Sequence, residues 1–478
     1  MHPGASYFNE PQEGIMSCRL SCPILAMLLL LNAGAAEHLV QDEAELLAAA
    51  ARAKPGDHVV MKDGTWSDMP LVFLAKGSTD KPVVLRPQSP AGVVVTGTSS
   101  LKIGGEYIEV RGLVFRDGVR PKFTTRDRSH VYESDVIALH INGEHQARHT
   151  RLTRIRMNNW TSLATYRVRW IYVSGEHNRI DHCRFIGQAD RGETIVVAVG
   201  DKAVHHRIDH NTFAKRPKGK MSNGYEVMRI GGGDVSMDTD SGVLVEYNVF
   251  DDCDGEGETI SVKASGCTFR YNLFMDTRGE LVLRNGNRCV VENNRFERCM
   301  GGIRISGSGH KVTNNLVVDS TLSGIRMVAG LPDTRPGREG YRYLPVVDCM
   351  IANNTIVNPG REGMLFGEWL KGTKSLTGVV RTSGGTILPT GNRIERNIVA
   401  ANQGMLLRLR ESEGNVISCN LLHAAGTAQV GEAGTDAKFA APPFVDPAEG
   451  DYRLEEGSSV SDLGADAAHF EAGDGLVK

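Results

Sequence analysis

The sequence predicts an all-β chain wound into a right-handed parallel β-helix, a solenoid, with a helical cap at its N-terminal end. Three observations carry this. An asparagine followed two residues later by an apolar residue recurs in HNTF, YNVF, YNLF, NNRF, NNLV, NNTI, RNIV and CNLL, at Asn211, Asn248, Asn272, Asn294, Asn315, Asn354, Asn397 and Asn420. The steps are 37, 24, 22, 21, 39, 43 and 23 residues, so each repeat of about 22 is one coil and three coils carry inserted loops. Short β-branched runs such as GVLVEYNVF and CVVENNRF, broken by Gly or Asn, fill the coils, and no helix-length pattern interrupts them. Finally, 478 residues exceed one ordinary core, which a fold that grows in one dimension accommodates. Leucine-rich repeats share the period, but their leucine pattern is absent.

At the N-terminus, one positive charge at Arg19, an apolar run from Ile24 to Leu31 and the small residues Ala33, Gly34 and Ala35 read as a secretory signal peptide over residues 1–35, with Met16 as an alternative start. The run is too short to span a bilayer. The expectation is a secreted or periplasmic protein without a membrane anchor. QDEAELLAAAARAKPGDHVV then supplies the cap that the first coil needs to cover its apolar core: Asp42 as N-cap, Glu45 three residues on, an alanine-rich helix, and Pro55 and Gly56 to stop it. The solenoid is expected over residues 37–440. Residues 441–478 are expected to close its other end.

Bulk charge excludes little. With 54 basic against 57 acidic residues the net charge is −3, so attraction to a polyanion must come from local clusters. Of nine cysteines, Cys18 and Cys22 lie in the leader; the remaining seven are odd in number and contain no CxxC, and read as buried small hydrophobes with no disulfide assigned.

The ladder gives each residue a phase around the coil. In DGEGETISVK, Glu256 and Glu258 fall 8 and 10 residues after Asn248, and Lys263 falls 15 after it. Asn223 and Arg284 each fall 12 after their ladder asparagines; Arg304, Arg326 and Arg408 fall 10 or 11 after theirs. All of these project from one side, on coils about 4.8 Å apart. The odd offset from Glu258 to Lys263 demands a bend or bulge if the lysine is to join the acids. Taken singly, each charge reads as a solvated strand face. Stacked arginines, however, repel unless an anion lies among them, which points to an acidic polymer along the face. Glu256, Glu258 and the Asn223 amide oxygen are hard donors suited to Ca2+. Calcium beside a uronate carboxylate acidifies the C5 proton; a lysine of lowered pKa suits its removal, and Arg284 suits the leaving oxygen.

At these residues the sequence resembles polysaccharide lyase family six, the calcium-dependent alginate lyases and chondroitinase B enzymes. The resemblance runs from AKPGDHVVMKDGTW through YIEVRGLVF, NGYEVMRIG, EGETISVKASGCTFRYNLF and GELVLRNGN to GGIRISGSGHKVTNNL. It implies a parallel β-helix enzyme, a carbon–oxygen lyase of the poly(mannuronate/guluronate) type, with Lys263 as base, Arg284 as acid, and Asn223, Glu256 and Glu258 as calcium ligands. The family commonly has LRHGN where this chain has LRNGN, with Asn285, which bears on substrate preference.

The expected partner is an anionic polysaccharide, alginate or a glycosaminoglycan, gripped by Arg304, Arg326, Arg408 and Tyr225. Trp369 is a second candidate platform, although packing is the plainer role for both aromatics. AKRPKGK at 214–220 is expected to rim the site; no nucleic-acid role fits it without interleaved aromatics. MDTD in the insert GGGDVSMDTDSG reads as a solvated loop before a second metal site. Three other readings remain at this point: a dermatan or chondroitin sulfate lyase, a β-helical polysaccharide-binding protein without turnover, and a glycoside hydrolase, which would need only paired acids.

Overall fold

The computed structural model describes residues 35–120, 135–162, 167–221, 223–232, 234–336, 340–372, 381–409 and 414–466; the expected leader, up to residue 34, lies outside them. From Ala35 the chain forms one compact unit. Three long parallel sheets run its length, and in each the strands follow chain order, one strand per coil, except near the start of the third, where Ser100–Glu106 pairs with both Ile137–Ala138 and Ala147–Arg148. This is the parallel β-helix that the repeat predicted. Within a coil the chain passes from the first sheet (Arg207–Asp209) through the second (Thr212–Arg216) to the third (Met228–Gly231).

The ladder lies where the first sheet turns into the second. Each asparagine amide donates to the side-chain oxygen of the next: Asn248 to Asn272 at 3.0 Å, Asn272 to Asn294 at 2.9 Å, Asn294 to Asn315 at 3.0 Å. The same amide reaches a backbone carbonyl, as Asn294 reaches Phe269 O at 2.9 Å. All eight ladder asparagines are at most 1% exposed, so these bonds satisfy groups that water does not reach. Inside the second sheet Phe185, Phe213, Phe250, Phe274 and Phe296 stack with centroids 5.0, 4.9, 4.5 and 4.5 Å apart, because parallel in-register strands place identical positions directly over one another.

The cap forms as expected. Helix α1 spans Glu43–Arg52; Asp42 accepts the Glu45 N–H at 2.8 Å, and Leu46, Ala49 and Ala50 are buried over the first coils. Six of the seven cysteines beyond the leader are buried and Cys419 is exposed; none of the seven is in a disulfide. The C-terminal segment differs from its expected place. Its hairpin, Phe444–Asp446 with Asp451–Leu454, and the residues after it lie along the flank of the second sheet. Tyr452 and Ala465 pack on Leu316, Val318 and Val357, and Val460 and Leu463 on Ile398 and Leu421. The outward residues of those strands are apolar, so this flank needed a cover as much as the end did.

Candidate active site

The third sheet carries the site on its outer face. Met228 pairs in register with Ile260, and Gly231 with Lys263. On the next coil Val262 pairs with Leu283, and the Arg284 N–H donates to Val262 O at 2.8 Å. Lys263 and Arg284 are therefore side-by-side neighbours on consecutive coils. Gly231, which precedes Lys263 in that column at φ +74°, permits the close approach of the two strands: a Cβ there would meet Lys263 O at 2.7 Å. The register slips between Glu258 and Ile260, which is the irregularity the odd spacing required.

Beside this pair stand three carboxylates. Glu226, Glu256 and Glu258 each offer an oxygen within 4.8 Å of the others. Gly255 makes this approach possible: a Cβ there would meet Tyr225 O at 2.2 Å. The close contact lets Glu256 accept the Tyr225 N–H at 2.9 Å. Arg216, buried beneath, donates to Tyr225 O at 2.7 Å and to Gly192 O at 2.6 Å, bracing the same loop. Of the basic run 214–220, Arg216 is thus a buried strut and not part of a rim, its pKa pushed down to about 10 by burial.

Burial and its acidic neighbours Glu226 and Glu258 push the Glu256 carboxyl up to about 7. Glu226 also moves upward, from burial and from Glu193. Glu226 is 2% exposed, and one of its oxygens, Oε2, has no hydrogen-bond partner among the described residues. Three converging carboxylates, one with an orphaned oxygen, fit a hard divalent cation. Asn223 lies exposed three residues before Glu226, its Oδ1 3.4 Å from an Arg167 guanidinium nitrogen. Glu226 escaped the sequence reading; it lies in the quoted NGYEVMRIG, and its place two residues before Met228, the register partner of Ile260, was the available signal.

Lys263 has its pKa lowered by burial first, opposed by Glu226 and Glu258 and assisted by Arg229 and Arg284. Arg284 is likewise lowered by burial, with Tyr343 and Glu258 opposing. Its guanidinium carbon lies 3.8 Å from the Tyr343 ring centroid, and its Nη1 donates to Arg342 O at 2.9 Å and Asn285 Oδ1 at 3.3 Å. The loop bearing Arg342 and Tyr343 falls in one of the enlarged repeat steps, which gave no phase from which to place it.

The arginine column is real, but the anions among it belong to the chain. Arg304 and Arg326 are register partners. Arg304 pairs with Glu258, and Arg326 with both Glu280 and Glu368. Arg408 Nε donates to Glu362 Oε1 at 3.0 Å. Arg326 is 5% exposed and held on both sides, so its expected role on the polymer gives way to a buried ion pair. Arg304, 7% exposed, is bound to Glu258 and lies 5.1 Å from the Trp369 ring. Tyr225 is 5% exposed and packs against Gly219, which denies it the platform role. Asp240 of MDTD pairs with Arg288 at 2.8 Å, and no cluster of metal ligands forms there among the described residues.

A family model described as Chondroitinase B matches residues 40–367. Among solved structures, the PL6 family alginate lyase AlyGC is similar with a TM-score of 0.78 and 30% identity, over 92% of this chain and 58% of that one. The chain therefore spans less than two thirds of that relative. A mannuronic acid specific polysaccharide family 6 lyase from human gut microbiota is similar with a TM-score of 0.66 and 27% identity, over 81% of this chain and 86% of that one. A PL6 alginate lyase in complex with a trisaccharide shares the fold at 20% identity, with a TM-score of 0.70 over 91% of this chain and 93% of that one. No curated protein matches the sequence.

Proposed function

The chain belongs to polysaccharide lyase family six, and from that premise we propose that it cleaves a uronic-acid polymer, alginate before others, by calcium-dependent β-elimination. The observation that carries this reading is the placement of Lys263 and Arg284 on adjacent coils, beside Glu226, Glu256 and Glu258, on one outer face. The half-buried Lys263 amine, held below its usual pKa, takes the proton from C5 of the sugar. The C5–H electron pair becomes the C4–C5 double bond as the C4–O bond breaks. Arg284, positioned by Tyr343 and the Arg342 carbonyl, hydrogen-bonds the leaving oxygen and gives it the proton that makes it an alcohol; Arg284 regains a proton from water as Lys263 releases the one taken from C5. Asn223, Glu226, Glu256 and Glu258 would hold the calcium, whose charge opposite the sugar carboxylate makes C5 more acidic.

Alginate leads because two similar structures above 25% identity are by name an alginate lyase and a mannuronic acid specific lyase. The family model named for chondroitinase B favours dermatan sulfate as the second substrate. The apolar leader supports secretion or a periplasmic location. Incubation with alginate, dermatan sulfate and pectate in calcium buffer tests all of this through the absorbance of an unsaturated uronate. Its absence with every polymer would sink the proposal.

A further inference from the structure

Stacked arginines on this solenoid are interleaved with carboxylates almost wherever they occur. On the first sheet Arg151, Arg179 and Arg207 are register partners, and Asp181, Asp209 and Glu246 stand between them at 2.8, 2.8 and 2.6 Å. On the third sheet the glutamates described above do the same. The second sheet holds an exception. Arg156 and Arg184 are register partners on consecutive coils, both exposed, and among the described residues no carboxylate lies within ion-pair reach of either.

These two arginines line a cavity of about 670 Å³ together with Arg86, Arg111, Arg154, His58 and His182. That volume falls within the roughly 300–1,000 Å³ of ordinary ligand sites. The lining contains no Asp or Glu. Arg154 is also exposed and without an ion-pair partner among the described residues, whereas Arg86 and Arg111 are paired with Glu37 and Glu109. His58 has its pKa lowered by burial first and then by Arg86 and Arg111, with Glu37 and Glu109 opposing. Pro87 and Pro90 add an apolar wall of the kind on which the C–H face of a sugar ring packs. The cavity sits where the first sheet turns into the second, at Gly112, Arg154 and His182, whose φ angles are +74°, +55° and +54°. The proposed catalytic residues lie on the third sheet, so this is a different surface.

We propose that this cavity is a second, non-catalytic binding site for the uronic-acid polymer, an assignment that rests on the substrate reading above. One carboxylate per sugar suits guanidinium groups, which can donate two parallel hydrogen bonds to it. A chain long enough to engage both surfaces gains effective concentration at the catalytic face, and a short oligomer does not.

The double variant Arg156→Glu/Arg184→Glu in the full chain tests this, with Arg156→Gln/Arg184→Gln as the milder form should the first lose its cooperative unfolding transition. On polymeric alginate KM is expected to rise several-fold, while kcat and KM on an alginate trisaccharide stay unchanged. In a Lys263→Ala background, retention in alginate-containing gels is expected to fall, with dextran gels correcting for the altered charge. Unchanged polymer KM and retention would overturn the inference, and so would equal retention by polyphosphate gels, which would mark a generic anion patch. Failure of the substrate reading looks different: no unsaturated product from any uronate polymer with the unaltered chain, whatever the gels show.

Discussion

The central guanidinium carbon of Arg284 stands 3.8 Å from the centroid of the Tyr343 ring. A cation over an aromatic face at this range is worth about 1–2 kcal/mol when partly desolvated. Tyr343→Ala is expected to lower the rate of unsaturated product formation about tenfold, since 1.4 kcal/mol is a factor of ten, while Tyr343→Phe keeps the ring and most of the rate. Equal loss in both variants would mean that the hydroxyl, and not the ring face, matters.

Lys263→Ala and Arg284→Ala are each expected to abolish cleavage with the unfolding transition preserved. The pH profile adds a sign. Burial lowers the lysine pKa from 10.5, so the free amine appears at lower pH than in an exposed lysine. The rate should rise with pH through a midpoint below 10.5. A rising limb centred at or above the ordinary lysine value would contradict the burial argument.

Glu256, raised from 4.5 to about 7, binds its proton more tightly folded than unfolded. In chelator its contribution to stability is complete below pH 4.5 and is lost as pH climbs to about 7. The thermal midpoint in chelator should therefore fall as pH rises across this window. Calcium should restore the midpoint at pH 7 and above, with less restoration in Glu226→Gln. Identical melting in chelator and in calcium would argue against the three-carboxylate site.

Glu280 is fully buried; both of its oxygens accept from Arg326, and Oε2 also lies 3.9 Å from Arg304. Glu280→Gln leaves a buried guanidinium under-compensated, which typically costs about 3–5 kcal/mol. The urea midpoint should fall with KM on polymer little changed. A large KM effect at full stability would return Arg326 to the polymer.

Asn294 occupies the middle of the ladder, fully buried, with its side chain bonded to Phe269, Glu292 and Asn315. Asn294→Ala strands those partners at about 1–3 kcal/mol for a buried polar group. Asn314→Ala, at the half-buried position before Asn315 on the following coil, is the control and should cost less in the same denaturant titration.

The spacing of eight asparagines and the phases measured from them determined the coil and the side that bears Glu256, Glu258, Lys263 and Arg284, while Asp42, Glu45, Pro55 and Gly56 marked the helical cap. Parallel strands in register repeat the same position coil after coil, so distance along the chain converts directly into place around the solenoid. Tertiary structure alone decided which charges meet. Glu280, Glu362 and Glu368 became the partners of the arginines, Glu226 joined the acid cluster and Tyr343 came under Arg284. Those pairings depend on inserted loops, on the register slip after Glu258 and on depth of burial. None of these has a period, and the energy of each is set by the distance and desolvation between residues tens of positions apart.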